Sequence, residues 1–369
     1  MTTSETELPG RDEMSAAIKL VDDHAPRVFL WDYDRSRDQL VTLYNKAMAS
    51  QWSSVTDLDW TTPVDPEELV NASPQNNLMI RLARGAAEVP GSPLASWGDR
   101  EFTALGIEAF TSQLSQFMHG EQGAMMVAAK IVETVPWIDA KYYAATQTMD
   151  EARHTEVFAR YLHEKLGEAH GMSPFLEGQI DALISDSRWD IAYLGMQIVI
   201  ESLALAAFGS MLRATEEPLL KKLLRYVMSD EARHVAFGVL SLGEFYAELT
   251  AAELKERQEF LLENTLRSRA RSAMPEIWER MGTSVDAVLP SLLEASQKLD
   301  QDQFEVFQRN FFAKLVPNVR KLGLLDANDG YLRQKWGEVG MLEFEFSDDT
   351  GSDYESYDEV AKDRARARG

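Results

Sequence analysis

The sequence predicts an all-α protein built around a four-helix bundle, with additional helices before and after the bundle. Four long stretches of helical patterning follow one another, at 102–134, 137–167, 176–214 and 216–248. No alternation of apolar and polar residues is long enough to indicate a strand. We therefore expect the regular structure to be helical throughout.

Proline and glycine residues mark the ends of the four stretches. They are Pro136, Gly167, Gly171, Pro174 and Pro218. Pro218 stands where the first turn of a helix tolerates proline, because that turn leaves its N–H groups unbonded in any case. The punctuation therefore predicts four separate helices joined by short connections.

Helical spacing and composition divide the rest of the chain into segments before and after the bundle. Residues 36–52 have helical spacing, 53–100 are rich in proline and glycine, and further helices are predicted near 251–282, 284–297 and 300–323. The sequence thus predicts a flexible N-terminal segment (1–30), an N-terminal helix and irregular wrap (31–101), the bundle core (102–248), C-terminal helices packed on the core (249–342) and an acidic, disordered tail (343–369).

The charge and the residue usage exclude several functions. The 369 residues include 60 acidic and 37 basic side chains, a formal net charge of −23 that repels nucleic acid and anionic membrane surfaces. The absence of cysteine excludes thiolate metal sites and cysteine nucleophiles. No targeting segment is evident, and Gln197 and Glu201 interrupt the most apolar stretch. We expect a cytoplasmic protein that binds neither nucleic acid nor membrane.

One pentapeptide, DEARH, occurs twice, at Asp150–His154 and Asp230–His234. A single glutamate precedes the glutamate of each copy by 30 residues, Glu121 in the first case and Glu201 in the second. Both single glutamates lie in apolar helical sequence. The chain therefore contains two helical hairpins of the same plan.

The spacing of these residues predicts a site for two metal ions. Residues three apart share one helix face, so Glu-x-x-His can grip one ion. A glutamate from each of two helices and Glu-x-x-His from each of the other two form the ligand set of dimetal carboxylate bundles. Four carboxylates balance two divalent ions, and oxygen with imidazole suits iron or manganese. The predicted ligands, which are also the catalytic residues, are Glu121, Glu151, His154, Glu201, Glu231 and His234.

A simpler interpretation exists for each part of this pattern. One Glu-x-x-His on a helix is usually a surface pair, but the duplication, the matched glutamates and the apolar context favour the metal site. We expect Asp150 and Asp230 each to accept a hydrogen bond from the ligand histidine of the opposite hairpin. Arg153 and Arg233 would neutralise these aspartates, unless they only make the surface soluble.

These residues resemble the ferritin-like di-iron carboxylate superfamily over residues 102–248. The DExxH form is similar to its oxygen-activating branch, which includes ribonucleotide reductase small subunits, soluble di-iron monooxygenases, acyl-carrier-protein desaturases and aryl N-oxygenases. The resemblance implies a ferritin-like bundle, a cofactor of two iron ions (Fe²⁺/Fe³⁺) or of one manganese and one iron, and reductive activation of O₂ as co-substrate.

Three differences from the better-known members argue against particular subfamilies of this superfamily. Phe158 stands where radical-forming reductase subunits carry tyrosine, and Val227 stands where aryl N-oxygenases carry an additional histidine. Ala204 and Leu205 replace the threonine that many hydroxylases and desaturases place after the third-helix glutamate. The resemblance therefore identifies the superfamily far better than it identifies a substrate.

Helical spacing also predicts the residues around the metals. They are apolar except for one glutamine, which indicates either a pocket for an apolar substrate or ordinary core. The candidates are Phe117, Met118, Ala124, Met125, Phe158, Gln197, Ile198, Ala204, Leu205 and Phe208.

The sequence thus predicts an oxygenase or oxidase that hydroxylates, desaturates or N-oxygenates a small, largely apolar molecule. Without cysteine or a glycine-rich dinucleotide motif the chain has no evident reductant of its own, so electrons must come from an external donor, such as a reductase or a ferredoxin, or from the substrate. Alternatives are a radical-generating or manganese/iron ligand-binding oxidase subunit akin to a reductase small subunit, with the tail docking a partner, and a ferroxidase or iron-binding protein. A homodimer would be in keeping with the superfamily.

Overall fold

The computed structural model confirms the all-α prediction. It describes residues 25–72, 77–268, 274–298, 302–347 and 354–368. Within these ranges every regular element is a helix. Most of the predicted flexible segment 1–30 lies outside the described residues, which begin at Ala25.

The N-terminal part contains one helix that packs against the bundle and two short helices within the predicted irregular wrap. The three are α1 (Asp38–Ala49), α2 (Pro66–Asn71) and α3 (Leu78–Ala87). Proline at the first position of α2 and the side chain of Asp65 at its N-cap, which accepts hydrogen bonds from the N–H groups of Glu67 and Glu68, explain why that helix begins there. The predicted irregular wrap therefore contains short capped helices.

Four helical segments form the bundle. The first two are α4 (Asp99–Thr134) and α5 (Ile138–Tyr161), which a π turn (Leu162–Leu166) extends. A connecting helix, α6 (Pro174–Ser185), precedes the third segment, which contains α7 (Trp189–Tyr193), a π segment (Leu194–Ile200) and α8 (Glu201–Ala214). The fourth is α9 (Pro218–Tyr246). Helix α4 packs along α5, α8 packs along α9, and contacts between α5 and α9 join the two pairs. The third bundle helix is the continuous run α7, π segment and α8.

The stretch 176–214, predicted as one helix, is interrupted in the structure. Helix α6 ends at Ser185, and Asp186 adopts an extended backbone conformation. Its side chain accepts a hydrogen bond from the backbone N–H of Arg188 at 2.8 Å, a local bond that competes with helix continuation. The 26-residue run Trp189–Ala214 is long and apolar enough to span a membrane, but 83% of its apolar window is buried inside the protein. It is a largely buried helix of the bundle.

Two apolar clusters fill the bundle at different positions along its axis. One contains Tyr143 and Phe237, whose ring centroids lie 4.3 Å apart. The other contains Phe158 and Phe208, whose centroids lie 5.6 Å apart. Along each bundle helix the predicted metal ligands lie between residues of the first cluster and residues of the second. The polar site is therefore a layer enclosed by apolar packing above and below.

The remaining helices cover the bundle from outside. They are α10 (Ala251–Ser268), α11 (Pro275–Arg280), α12 (Val285–Lys298), α13 (Asp302–Lys321), α14 (Ala327–Glu338) and α15 (Glu359–Arg368), with short 3₁₀ turns at Met341–Phe344 and Tyr354–Tyr357. The stretch 251–282, predicted as one helix, is two, because Met274 takes a left-handed backbone conformation directly before Pro275. Residues 269–273 between them lie outside the described residues.

The prediction of a disordered tail over 343–369 is wrong for residues 354–368. This segment packs on α9, and Val360 is buried at 2% exposure. Two of its acidic side chains accept hydrogen bonds from residues at the bundle surface. Ser50, directly after α1, donates to Asp358 at 2.6 Å, and Tyr226 on α9 donates to Asp363 at 2.9 Å. Composition alone misses these pairs, because their partners lie far away in sequence. Residues 348–353 and 369 lie outside the described part of the tail.

Candidate metal centre

The structure brings all six predicted ligand residues into one buried layer. Helix α4 provides Glu121, α5 provides Glu151 and His154, α8 begins with Glu201, and α9 provides Glu231 and His234. None of the six side chains is more than 7% exposed. The site therefore draws on four helices, as the duplicated pattern predicts.

The first group of ligand atoms surrounds His154. Its Nδ1 atom lies 3.1 Å from Oε1 of Glu231, 3.3 Å from Oε2 of Glu151 and 3.4 Å from Oε2 of Glu121. All four residues offer a ligand atom within 4.8 Å of the others. This set of three carboxylates and one imidazole can hold one ion.

The second group surrounds His234. Its Nδ1 atom lies 3.1 Å from Oε1 of Glu151 and 3.8 Å from Oε1 of Glu201, and these three residues also offer ligand atoms within 4.8 Å of one another. Oε1 of Glu231 lies 3.9 Å from the same nitrogen. Glu151 thus belongs to both groups, with one carboxylate oxygen on each side.

The donor atoms fit two divalent ions. Ligand atoms at about 2.1 Å from one octahedral ion lie about 3 Å apart, close to the shorter separations in both groups. Oε2 of Glu201, Oε1 of Glu231 and Nδ1 of His234 are buried and have no hydrogen-bond partner among the described residues. Such atoms are costly to bury unless something binds them. Four carboxylates would also balance the charge of the two ions.

Two aspartates fix the orientation of the two histidines. Nε2 of His154 lies 3.0 Å from Asp230, and Nε2 of His234 lies 3.4 Å from Asp150. Each aspartate comes from the opposite hairpin, which is the arrangement that the sequence predicts. Since Nε2 is engaged by a carboxylate, Nδ1 of each ring faces the glutamates, and this orientation suits a metal ligand.

Both arginines of the repeated pentapeptide are buried and paired. Arg153, 9% exposed, donates to Asp150 at 2.5 Å and to Asp230 at 3.0 Å. Arg233, 1% exposed, donates to Asp230. This burial argues against the interpretation of the two arginines as surface residues.

An indole and an amide that the sequence pattern does not indicate complete this network. Nε1 of Trp52 donates to Asp230 at 2.7 Å, and Gln51 donates to Asp150 at 3.0 Å and accepts from Arg153 at 2.8 Å. Both residues follow α1; Gln51 lies 99 positions before Asp150, and Trp52 lies 178 positions before Asp230. No sequence signal connects them to the site, because only the packing of α1 against α5 and α9 brings them there.

Gln147 is a further residue that the sequence analysis missed. Its Nε2 donates to Oε1 of Glu201 at 2.7 Å and to Oε1 of Glu151 at 3.1 Å, while its own Oε1 accepts from Gln197 at 3.1 Å. Both glutamines are fully buried. A signal was present here, since Gln147 stands one helical turn before Glu151 and Gln197 one turn before Glu201.

Burial and mutual repulsion perturb the acidity of the cluster. Burial raises the pKa of Glu121, of Glu201 and of Glu231, and neighbouring carboxylates raise these values further. Burial opposes the protonated form of both histidines, but the surrounding carboxylates raise the pKa of His154 and of His234 well above the usual value. The carboxylates therefore attract positive charge strongly, and divalent ions would replace these protons.

The predicted pocket residues lie in both apolar clusters. Phe117, Phe158 and Phe208 pack together, with the centroids of Phe117 and Phe208 only 4.7 Å apart. Met118 and Ala204 border this group, whereas Ala124 and Ile198 belong to the other cluster. Leu205 is buried, Met125 is half-buried, and Gln197 is joined to Gln147. Their role as a substrate pocket stays a prediction.

A third carboxylate–histidine group is occupied by an arginine. Glu108, Glu168 and His170 lie close enough to share an ion. Arg280, however, donates to Glu108 and to Glu168, at 2.6 Å in each case. The guanidinium balances both charges, so this group is an ion-pair cluster on the outside of the bundle.

This chain has only remote similarity to the known proteins with which it was compared. No protein-family model matches the sequence, and no curated protein matches it. Among solved structures, the chain is similar to R2-like ligand-binding oxidases with a Mn/Fe cofactor. A mutant with an anaerobically reconstituted cofactor gives a TM-score of 0.45 at 17% identity, covering 78% of this chain and 94% of that one. A form with an aerobically reconstituted cofactor, after a long soak, gives 0.44 at 15% identity, covering 79% and 93%.

Proposed function

We propose that the protein is an O₂-dependent oxidoreductase with a two-metal carboxylate centre. The observation that carries this proposal is the convergence of four carboxylates and two Asp-oriented imidazoles in one buried layer. Two iron ions, or one manganese and one iron, would bind there and supply the reductive activation of dioxygen. A purely structural bundle would gain more from apolar residues at these positions than from buried carboxylates.

The chain's own residues have distinct tasks in this proposal. The six ligands hold the ions, and Asp150 and Asp230 orient the imidazoles. The two apolar clusters exclude water from the layer, which strengthens every electrostatic interaction inside it. Glu151 belongs to both groups and would hold the two ions with one carboxylate oxygen on each side.

The proposed substrate is a small, largely apolar organic molecule, which is hydroxylated, desaturated or N-oxygenated. The apolar residues on either side of the metal layer support this class. Phe117, half-buried at the edge of the three packed rings, is the member of that group most able to yield to a substrate. We further infer a cytoplasmic protein, in which the long apolar helix is a core element, and an external reductase or ferredoxin as electron donor.

A second candidate is a manganese/iron ligand-binding oxidase. The same donor set supports it, since oxygen with imidazole accommodates either metal. A reductase-like subunit that docks its partner through a free acidic tail has less support, because residues 354–368 pack on this chain.

Metal analysis and turnover together test the proposal. Protein from medium supplemented with iron and manganese should contain two metal ions per chain by elemental analysis. With O₂, a generic reductant and a panel of small apolar compounds it should form an oxidised product, and Glu121→Ala or His234→Ala should abolish this. Glu168→Ala, in the cluster occupied by Arg280, is the matched control and should retain metal and activity.

The outcome separates the candidates. Two irons favour the di-iron enzyme, and one manganese with one iron favours the ligand-binding oxidase. Oxidation of many iron ions per chain without an organic product would instead identify a ferroxidase. Near-zero metal after anaerobic ferrous reconstitution, or full activity in both ligand variants, would refute the proposal.

A further inference from the structure

Gln147 contacts carboxylates from two helices at once. Both hydrogens of its amide are engaged, one by Oε1 of Glu151 on its own helix and the other by Oε1 of Glu201 on α8. The side chain is fully buried, so water does not compete for these bonds. An amide in this position fixes the distance and the relative orientation of the two carboxylates.

Gln197 determines which way the amide of Gln147 points. Ionised carboxylates only accept hydrogen bonds, so Gln147 must present its NH₂ group to them. Its oxygen then requires a donor, which is Nε2 of Gln197 at 3.1 Å. The two amides therefore form a chain with one polarity, running from Gln197 to the metal-binding carboxylates.

The amide chain contacts only one of the two metal positions. Oε1 of Glu151 is the oxygen that faces His234, at 3.1 Å, whereas Oε2 of the same carboxylate faces His154, at 3.3 Å. Gln147 bonds Oε1 of Glu151 and Oε1 of Glu201, so both contacts belong to the His234 group. With Oε1 of Glu201 held in place, Oε2 of that residue, which is buried and has no hydrogen-bond partner within the described part of the chain, is available to an ion.

We infer that Gln147, oriented by Gln197, is a positioning residue for the ion held by Glu151, Glu201 and His234. The inference rests on the proposed two-metal site. It assigns unequal support to the two positions: the His154 group has three carboxylates, while the His234 group depends on the amide to hold its carboxylates in register. Loss of the amide therefore lowers the affinity for the ion of the His234 group and leaves the affinity for the other ion unchanged.

Anaerobic equilibrium dialysis against Mn²⁺, followed by elemental analysis, tests this inference. The wild type should bind two ions per chain. Gln147→Met, which keeps the side-chain length and removes both donors, should retain one ion at wild-type affinity and bind the second about 10- to 100-fold more weakly. Gln197→Met leaves Gln147 in place but removes the hydrogen bond that orients its amide. It should therefore lower the affinity for the same ion by a smaller factor.

Gln258→Met is the matched control. Gln258 is equally buried, and its amide donates to the backbone carbonyls of Leu324 and Ala327, away from the metal layer. This variant should lower the thermal stability and leave both Mn²⁺ affinities unchanged. In a His234→Ala background, which removes the second position, Gln147→Met should have no effect on the remaining ion.

The outcomes distinguish this inference from the proposed function. Two ions bound by Gln147→Met at wild-type affinity would overturn the inference and leave the two-metal site intact. Equal weakening of both ions would also overturn it, because the amide would then act on the whole bundle. A wild-type protein that binds no Mn²⁺ and no Fe²⁺ would refute the proposed function itself.

Discussion

Nε2 of His154 lies 3.0 Å from Oδ2 of Asp230, a residue 76 positions later in the chain and in the opposite hairpin. The same oxygen accepts hydrogen bonds from Trp52 at 2.7 Å and from Arg153 at 3.0 Å. One carboxylate oxygen thus gathers an imidazole, an indole and a guanidinium. The pKa of Asp230 is below its usual value, because the adjacent charge of Arg233 and the hydrogen bond from His154 outweigh the effect of burial. It stays ionised and holds the ring.

Replacing Asp230 should weaken metal binding by the His154 group. We expect Asp230→Asn to lower the affinity for the ion of the His154 group about 10- to 100-fold. Asp150→Asn should have the smaller effect on the ion of the His234 group, since its contact is longer at 3.4 Å. Mn²⁺ dialysis of both variants measures the difference. Equal loss at both positions in each variant would contradict the separate pairing.

Metal stoichiometry should depend on which glutamate is removed. Glu151 contributes an oxygen to each group, so Glu151→Ala should bind no ion tightly. Glu121 belongs to the His154 group and Glu201 to the His234 group, so alanine at either position should leave one ion per chain. Elemental analysis after dialysis gives the count, and one ion retained by Glu151→Ala would show that the glutamate is not shared.

The metal-free protein should become more stable when a ligand carboxylate is neutralised. Burial raises the pKa of Glu201, which means that its charged form is disfavoured inside the bundle. Glu201→Gln keeps the shape and can still accept the bond from Gln147. We expect the free energy of unfolding of the metal-free protein to rise by about 0.5–2 kcal/mol, as is common where function opposes stability. Urea unfolding measures this change, and exposed Glu248→Gln should change it by less than about 0.5 kcal/mol. Destabilisation by Glu201→Gln would refute the argument.

A glycine on α9 should be needed for the amide chain. A Cβ atom at Gly238 would lie 2.7 Å from Cβ of Gln197 and 3.0 Å from Cδ1 of Ile198, so Gly238→Ala must displace the π segment. We expect a loss of about 1–3 kcal/mol in stability and weaker binding of the ion in the His234 group. Gly243, on the same helix, has open space at the corresponding point. Gly243→Ala should therefore stabilise by about 0.5–1 kcal/mol and leave metal binding unchanged. Similar behaviour of the two variants in dialysis and urea unfolding would contradict this.

Removal of the C-terminal segment should reduce stability and spare the metal ligands. Deleting residues 348–369 exposes the surface covered by Val360 and removes the partners of Tyr226 and Ser50. We expect a loss of about 2–4 kcal/mol in the free energy of unfolding, with two ions still bound. Urea unfolding and elemental analysis measure both quantities. An unchanged midpoint would mean that the segment does not pack on α9 in solution.

The sequence predicts those parts of the structure that depend on residues close together in the chain. The four bundle helices and the convergence of the six candidate ligand residues follow from helical spacing and a duplicated motif, since the Glu and His of Glu-x-x-His lie on the same face of a helix. The pairing of each aspartate with the opposite histidine followed from the same symmetry. The break at Asp186 was missed, because one side-chain hydrogen bond to Arg188 overrides the apolar pattern around it.

Contacts between distant segments were beyond the reach of sequence pattern. Trp52 and Gln51 reach the site only through the packing of α1, and the C-terminal segment is ordered by partners some 130 to 310 residues away. Gln147 is different, because its place one turn before Glu151 was visible. Without knowledge of α8 nothing indicated that its amide would also reach Glu201.

The crossed pairing of aspartates and histidines makes the two halves of the bundle interdependent. A hairpin of α4 and α5 alone has Glu121, Glu151 and His154, but the residue that orients its histidine lies on α9. The second hairpin depends in the same way on Asp150 of α5. Neither half has all the residues that orient a proposed metal centre. If the proposed centre binds metal, tight metal uptake during refolding would therefore follow the docking of one half on the other.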